Sequence, residues 1–210
     1  MLSLMITVIK SLFLQHKLTI LRNKKTSNTV FRQTMNETSY LIASDVLQHL
    51  PYKSIKVQTP LKNTKGTILS KQIILVPILR AGLGLLEGFA KFLPNAEKGH
   101  IGLYRDEQTY EPVEYLFKLP KTKNKKVLVL DPMLATGNSS IAAINLIKNK
   151  GVKVKDIFLV SLLAAPEGIK NLQKNHRSLH IFTCKIDTKL NKNKFIVPGL
   201  GDAGDRYMGT

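Results

Sequence analysis

The chain has 210 residues, 43% of them hydrophobic, and a formal net charge of +18 from 32 basic and 14 acidic side chains. That length suits a single domain with a substantial core, and the hydrophobic share is that of a soluble globular protein. One cysteine, Cys184, excludes a disulfide framework within the chain and suits a reducing, cytoplasmic setting, and the five histidines show no metal-ligand spacing.

Met1 to Phe13 is apolar apart from a few residues such as Lys10, and too short to span a bilayer. It reads as a strand or arm, within an N-terminal segment 1–25, that packs on the domain or on a partner subunit. Thr26 to Thr29 offer cap residues for a helix from about Val30 to Leu50, with Phe31, Met35, Ile42 and Val46 on one face and Pro51 as its stop. Two short β candidates follow, near Ser54 to Thr59 and Gly66 to Ser70. Ile73 to Val76 is the first fully buried strand, and Gly82 to Gly84 open a helix that ends before Pro94. His100 to Tyr104 and Val113 to Lys118 form two arms of a hairpin around a polar tip. Val127 to Asp131 is a strand, and Asn138 to Lys150 is a helix closed by Gly151. Ile157 to Leu163 is another buried strand, Pro166 starts a helix to about Lys174, and Leu179 to Cys184 is a last strand. The remainder is Gly- and Pro-rich and reads as irregular. Buried strands alternating with helices imply an α/β fold, with a mainly parallel sheet flanked by helices on both faces. Ligands bind such sheets outside the carboxyl ends of the strands. No internal repeat or linker divides the chain, so 1–210 reads as one domain.

The segment with most chemistry is Asp131-Pro132-Met133-Leu134-Ala135-Thr136-Gly137-Asn138-Ser139-Ser140, between a buried strand and a helix. A turn of small and hydroxylated residues at a helix N-terminus gathers free amide N–H groups and favours an anion. Thr136, Ser139 and Ser140 add hydroxyl donors. There is no G-x-x-x-x-G-K-[ST] and no G-x-G-x-x-G here, which excludes the Walker and dinucleotide loops. Asp131 at the end of the strand would meet sugar hydroxyls while the turn holds a phosphate, which describes a ribose 5-phosphate. An ordinary strand–turn–helix crossover with a polar turn has the same outline. The charge adds little: only six basic residues are arginine, and the lysines are scattered among many asparagines. This is no specific nucleic-acid stripe, although nonspecific attraction at low salt is expected.

The segment resembles the phosphoribosyl-diphosphate loop of the phosphoribosyltransferases, and with Pro132 after the acid it is similar to the uracil phosphoribosyltransferase family. Val76 to Gly84 is similar to that family's diphosphate loop, Tyr104 to Glu107 with Glu111 to Tyr115 to its flexible β-arm (100–118), and Phe195 to Arg206 to its uracil-binding segment (within 185–210). The resemblance implies transfer of a phosphoribosyl group to uracil, giving UMP and diphosphate. It implies Asp131 on the ribose hydroxyls, Arg80 on the diphosphate and Arg105 as a lid, these three being the catalytic candidates. It implies that Pro132, Met133, Leu134, Ala135, Thr136, Gly137, Asn138, Ser139 and Asp202 complete the phosphoribosyl-diphosphate site. Ile196, Gly201, Asp202 and Ala203 would bind uracil. Mg²⁺ held mainly by the substrate, GTP activation as in some members, and a homodimer or higher homo-oligomer are further implications. The chain departs from the family in three places. Asn138 stands where a second glycine is usual, and asparagine tolerates left-handed backbone. Lys189 and Lys194 replace a glycine-containing stretch, and Ser11-Leu12 replaces His-Pro. A second reading is a non-catalytic regulator that senses phosphoribosyl diphosphate and binds nucleic acid.

Overall fold

The computed structural model describes residues 5–106 and 112–210. Met1 to Leu4, and the stretch Glu107 to Glu111 of the expected arm tip, lie outside them.

Strand β1 (Met5–Val8) leads into helix α1 (Leu12–Arg22), where the sequence predicts only a strand or arm. Ser11 is the reason the period changes. Its hydroxyl accepts the Leu14 N–H at 3.2 Å and starts a helix that buries Leu14, Leu18 and Leu21 on one stripe. Helix α2 (Asn28–Leu47) begins two residues before its expected start, with Ser27 as cap. It ends three residues early, because residues 48–50 close it through tighter i→i+3 bonds before Pro51. Strands β2 (Tyr52–Gln58) and β3 (Asn63–Leu69) pair as a separate antiparallel hairpin.

Strand β4 (Gln72–Leu79) runs through the core and feeds α3 (Leu83–Phe92). After the short β5 (Glu97–Lys98) come β6 (His100–Arg105) and β7 (Pro112–Lys118), which pair antiparallel as the sequence predicts. Strand β8 (Lys125–Leu130), a two-residue β9 (Met133–Leu134) and α4 (Asn138–Asn149) form the loop-bearing crossover. They are followed by β10 (Ile157–Ala164), α5 (Pro166–Asn175) and β11 (His180–Ile186). The expected irregular tail instead holds a small hairpin, β12 (Lys189–Leu190) with β13 (Ile196–Val197), and a helix, α6 (Ala203–Met208).

The main sheet runs β1–β11–β10–β8–β4–β6–β7, parallel except for the last pair. Alternation along the strands divides the core. Leu75, Leu128, Leu130, Val160 and Phe182 face α1, α2 and α3. Ile74, Val76, Val127, Val129 and Leu159 face α4 and α5 through Ala143, Ile144, Ile147 and Leu172. Chain order reverses between β4 and β8: β4 continues to β6 on one side, and β8 continues to β10 on the other. The loops leaving those two strands part there and open a crevice.

Helices α2 and α3 meet at Gly88, whose N–H donates to Ser39 Oγ at 2.9 Å. A Cβ on Gly88 would lie 2.3 Å from the Ser39 carbonyl carbon. Alanine normally favours a helix over glycine, but here the clash outweighs that gain. Gly88→Ala is therefore expected to lower stability by about 1–3 kcal/mol in urea unfolding. An unchanged or raised midpoint would show that the two helices can move apart freely.

Candidate functional site

The crevice at the switch between β4 and β8 is a cavity of about 410 Å³. Its floor is Ile78, Leu79, Arg80 and Ala81 from the end of β4, and Asp131, Met133, Ala135, Thr136, Gly137, Ser139 and Ser140 from the loop after β8. Leu103, Tyr104 and Tyr115 of the β6–β7 hairpin form one wall, and Asp202, Gly204 and Asp205 form another. A second cavity of about 320 Å³ adjoins it. The two share Ala81, Met133, Ala135, Asp202 and Gly204, and the second is completed by Lys194, Phe195, Ile196, Gly201 and Ala203.

The loop after β8 is built as an anion cradle. Gly137 has φ +84°, a left-handed turn that costs glycine nothing and points the chain into α4. The first intrahelical acceptor is the Gly137 carbonyl, bonded by Ile141 N–H at 2.8 Å. The amides of Asn138, Ser139 and Ser140 therefore have no partner within the helix, and Ser139 and Ser140 line the cavity. Thr136 also lines it. Met133 and Ala135 line both cavities. Pro132 is buried and Leu134 is fully buried in the core, so these two residues turn their side chains away from the cavity.

Asn138 departs from expectation. It is the first residue of α4 and needs no left-handed backbone; Gly137 supplies that turn. Its side chain points to α5, where Asn171 Nδ2 donates to Asn138 Oδ1 and to the Thr136 carbonyl, both at 2.9 Å. Asn171 thus staples the turn to the neighbouring helix. No local pattern marks it in the sequence, because it lies 33 residues away on a solvated helix.

Asp131 is at the carboxyl end of β8, partly exposed to the cavity. Burial pushes its carboxyl up to about 6. The Ser140 hydroxyl, donating to Oδ2 at 3.0 Å, and the Met133 N–H, at 3.4 Å from Oδ1, pull the other way. Ser140, read from sequence as a phosphate donor, instead donates to this carboxylate. Because the folded protein holds the proton more tightly than the unfolded chain, Asp131 costs stability as pH rises from 3.8 to about 6.

Arg80 follows directly on β4, after a cis Leu79–Arg80 peptide, and is half-exposed. Its Nη2 donates to Asp205 Oδ1 at 2.8 Å. Asp205 is absent from the candidates read in sequence. Its signal is the spacing of three from Asp202, one turn of α6, whose start Asp202 caps by accepting the Asp205 N–H at 2.9 Å. Asp202 lines both cavities. Ile196, Gly201 and Ala203 line the second one, as grouped from the sequence. Arg105 ends β6 on the hairpin, and its side chain lies outside the described residues. Among the side chains lining the larger cavity, three are carboxylates and one, Arg80, is cationic. No cluster of three or more His, Cys, Asp or Glu among the described residues could hold a metal alone. No helix among them is long and apolar enough to cross a membrane.

A parallel sheet with a phosphate-cradling loop and an acid at its switch point is the arrangement of a phosphoribosyltransferase. A hypoxanthine phosphoribosyltransferase from Staphylococcus aureus shares this fold at a TM-score of 0.50 and 14% identity, over 76% of each chain. A solved protein from Aquifex aeolicus superposes at a TM-score of 0.90 with 36% identity, covering 97% of each chain. The uracil phosphoribosyltransferase profile matches residues 8–210. Proteins of that name from Dictyoglomus turgidum and Lactococcus lactis subsp. lactis are 50% and 47% identical to this chain. The first match covers 98% of this chain and all of the relative, and the second covers 97% of each. The chain belongs to the uracil phosphoribosyltransferase family.

Ser140→Ala removes the hydroxyl that stabilises the Asp131 carboxylate. The carboxyl should then titrate above its value of about 6, read from its ¹³C shift. An unmoved titration would mean that the 3.0 Å bond does not hold the charge.

Proposed function

We infer that this protein transfers the 5-phosphoribosyl group from 5-phospho-α-D-ribose 1-diphosphate to uracil, giving UMP and diphosphate. The observation that carries the reading is the pair of adjoining cavities. One places the amide cradle, Asp131 and Arg80 around a space of about 410 Å³; the other is framed by Ile196, Gly201 and Ala203. The space suits a sugar phosphate with its leaving group, next to a flat base.

In the reaction the C1–O bond to diphosphate breaks, a C1–N1 bond to uracil forms, and N1 loses its proton. The amides of residues 136–139 hold the 5-phosphate, the Asn138 N–H leaving Thr136 Oγ1 for it, while the Ala135 N–H stays with the Met133 carbonyl. Asp131 accepts from the ribose hydroxyls and faces the positive charge that develops at the sugar. Arg80 exchanges Asp205 for the diphosphate, whose oxygens fit its planar fork. Arg105, on the hairpin, closes over the leaving group and excludes water. Backbone groups of Ile196 and of Gly201 to Ala203 match the N3–H and carbonyls of uracil, and the 4-amino group of cytosine meets a donor there. Positioning and electrostatics supply most of the acceleration.

The carboxylates of Asp131 and Asp202 offer the hard oxygens that Mg²⁺ prefers, without a closed cage, so the ion is held mainly by substrate phosphates and water. When bound, Mg²⁺ neutralises phosphate charge that three carboxylates and one arginine cannot offset. The reading includes a cytoplasmic homo-oligomer with GTP as an activator.

The test is UMP formation from labelled uracil, phosphoribosyl diphosphate and Mg²⁺, with and without GTP, against cytosine, orotate and hypoxanthine. Turnover of uracil alone is expected. Binding of phosphoribosyl diphosphate without turnover of any base, combined with steeply salt-dependent nucleic-acid binding, would favour the regulator reading instead.

Asp131 must be ionised to act, so kcat/KM is expected to fall as pH drops through about 6. Asp131→Asn should remove that acid limb and lower kcat/KM by about 10²–10³-fold. A variant that keeps the limb would assign it to another group.

A further inference from the structure

The segment framing the base cavity is held from outside the cavity, by the end of α1. Asp187 follows directly on β11 and is anchored there, its N–H donating to the Ala164 carbonyl at 2.8 Å. Its side chain is 2% exposed and meets Arg22, the last residue of α1, fork to fork: Nη1 to Oδ2 at 2.8 Å and Nη2 to Oδ1 at 2.6 Å. This buried pair takes both backbone groups of Gly199. The Gly199 N–H donates to Asp187 Oδ2 at 2.9 Å, and Arg22 Nη1 donates to the Gly199 carbonyl at 2.7 Å.

Gly199 has φ +59°, and a Cβ there would lie 2.1 Å from the Ile196 carbonyl oxygen. The chain is folded back tightly on Ile196, one of the cavity's lining residues. The next residue, Leu200, is pinned as well. Its carbonyl accepts from Arg206 Nη1 at 2.7 Å, and the same guanidinium donates to the carbonyls of Leu21 and Asn23 at 2.5 and 2.8 Å. It lies 4.3 Å over the Phe31 ring. Two successive loop residues, 199 and 200, are thus tied to residues 21 to 23, the last two of α1 and the cap that follows it. Ile196 and Gly201, which line the cavity, lie on either side of that pinned pair.

We propose that the buried Arg22–Asp187 pair is a positioning device for the base, setting affinity for uracil and discrimination against cytosine through the 196–201 backbone without touching the base. The proposal rests on the uracil-transferring reading above. Recognition through backbone N–H and C=O groups depends steeply on distance and angle. A loop displaced by a fraction of an ångström loses that complementarity even when its own residues are unchanged. The phosphate cradle hangs from β8 and α4 and shares none of these bonds.

Arg22→Lys keeps the charge opposite Asp187 but cannot make the two-pronged contact and reach the Gly199 carbonyl as well. Asp187→Asn keeps the shape and an acceptor for Gly199 while removing the ion pair. It serves as the second variant should the first not fold. Each is assayed with saturating Mg²⁺, varying uracil and phosphoribosyl diphosphate in turn. The expected result is a rise in KM for uracil of about tenfold or more and a narrowed preference for uracil over cytosine. KM for phosphoribosyl diphosphate and kcat are expected to stay within about twofold, since the cradle's bonds are intact. Equal shifts in both KM values, or a lower melting temperature with neither KM changed, would overturn the proposal and leave the pair a purely structural brace. Wild-type protein that does not turn over uracil would refute the enzymatic reading itself, and the positioning role with it.

Discussion

The side-by-side pairing of β4 and β8, with their outgoing loops diverging, is the constraint on which the site depends. Val76 pairs with Val129 and Pro77 with Leu130, so β8 ends two residues before β4 does. Arg80 leaves one strand and Asp131 the other, and both line the larger cavity. Both strands are buried on both faces, between α1–α3 and α4–α5. A shift in either helical layer would therefore change the spacing of the guanidinium and the carboxylate. Rigidity at this point comes from apolar packing, and the polar groups inherit it.

The electrostatics of the cavity run against those of the chain. The protein carries +18, yet the larger cavity is lined by three carboxylates and one described cation. Asp205 neutralises Arg80, and burial raises the Asp131 carboxyl to about 6, so that it is mainly ionised only above that pH. The described lining of the ligand-free site is thus acidic on balance, since the Asp131 and Asp202 carboxylates have no cation among it. A substrate bearing several phosphate charges adds to that negative excess, and a hard divalent cation travelling with it offsets it. The lysine-rich surface attracts such polyanions from a distance, and the site does not retain them by charge alone.

Much of this was legible in the sequence, for identifiable reasons. Val127 to Leu130 is an unbroken apolar run followed by an acid and a small-residue turn, so strand, turn and helix followed from local chemistry. The β6–β7 hairpin and the Pro166 start of α5 were equally local. Helix α1 was hidden because the β-branched stretch Ile6 to Ile9 runs almost directly into it, and its buried stripe is only three leucines wide. Helix α6 was hidden because six residues beginning Ala203-Gly204 carry no apolar period. The partners of the site residues were the least legible. Arg80 and Asp205 are 125 positions apart, and Arg22 and Asp187 are 165 apart. Only the folded chain brings them together.

The contact between Asn138 and Asn171 has a consequence for descent. Asn138 gives the amide on α5 a second acceptor that a glycine at that position could not provide. The two asparagines form one heritable unit, in which the effect of either exchange depends on the other. A phosphate loop with glycine at 138 would leave the Asn171 Nδ2 only the Thr136 carbonyl within that loop. Such epistasis narrows the order in which a lineage can move between the two forms, because an intermediate with a poorly braced turn lies on one path and not necessarily on the other.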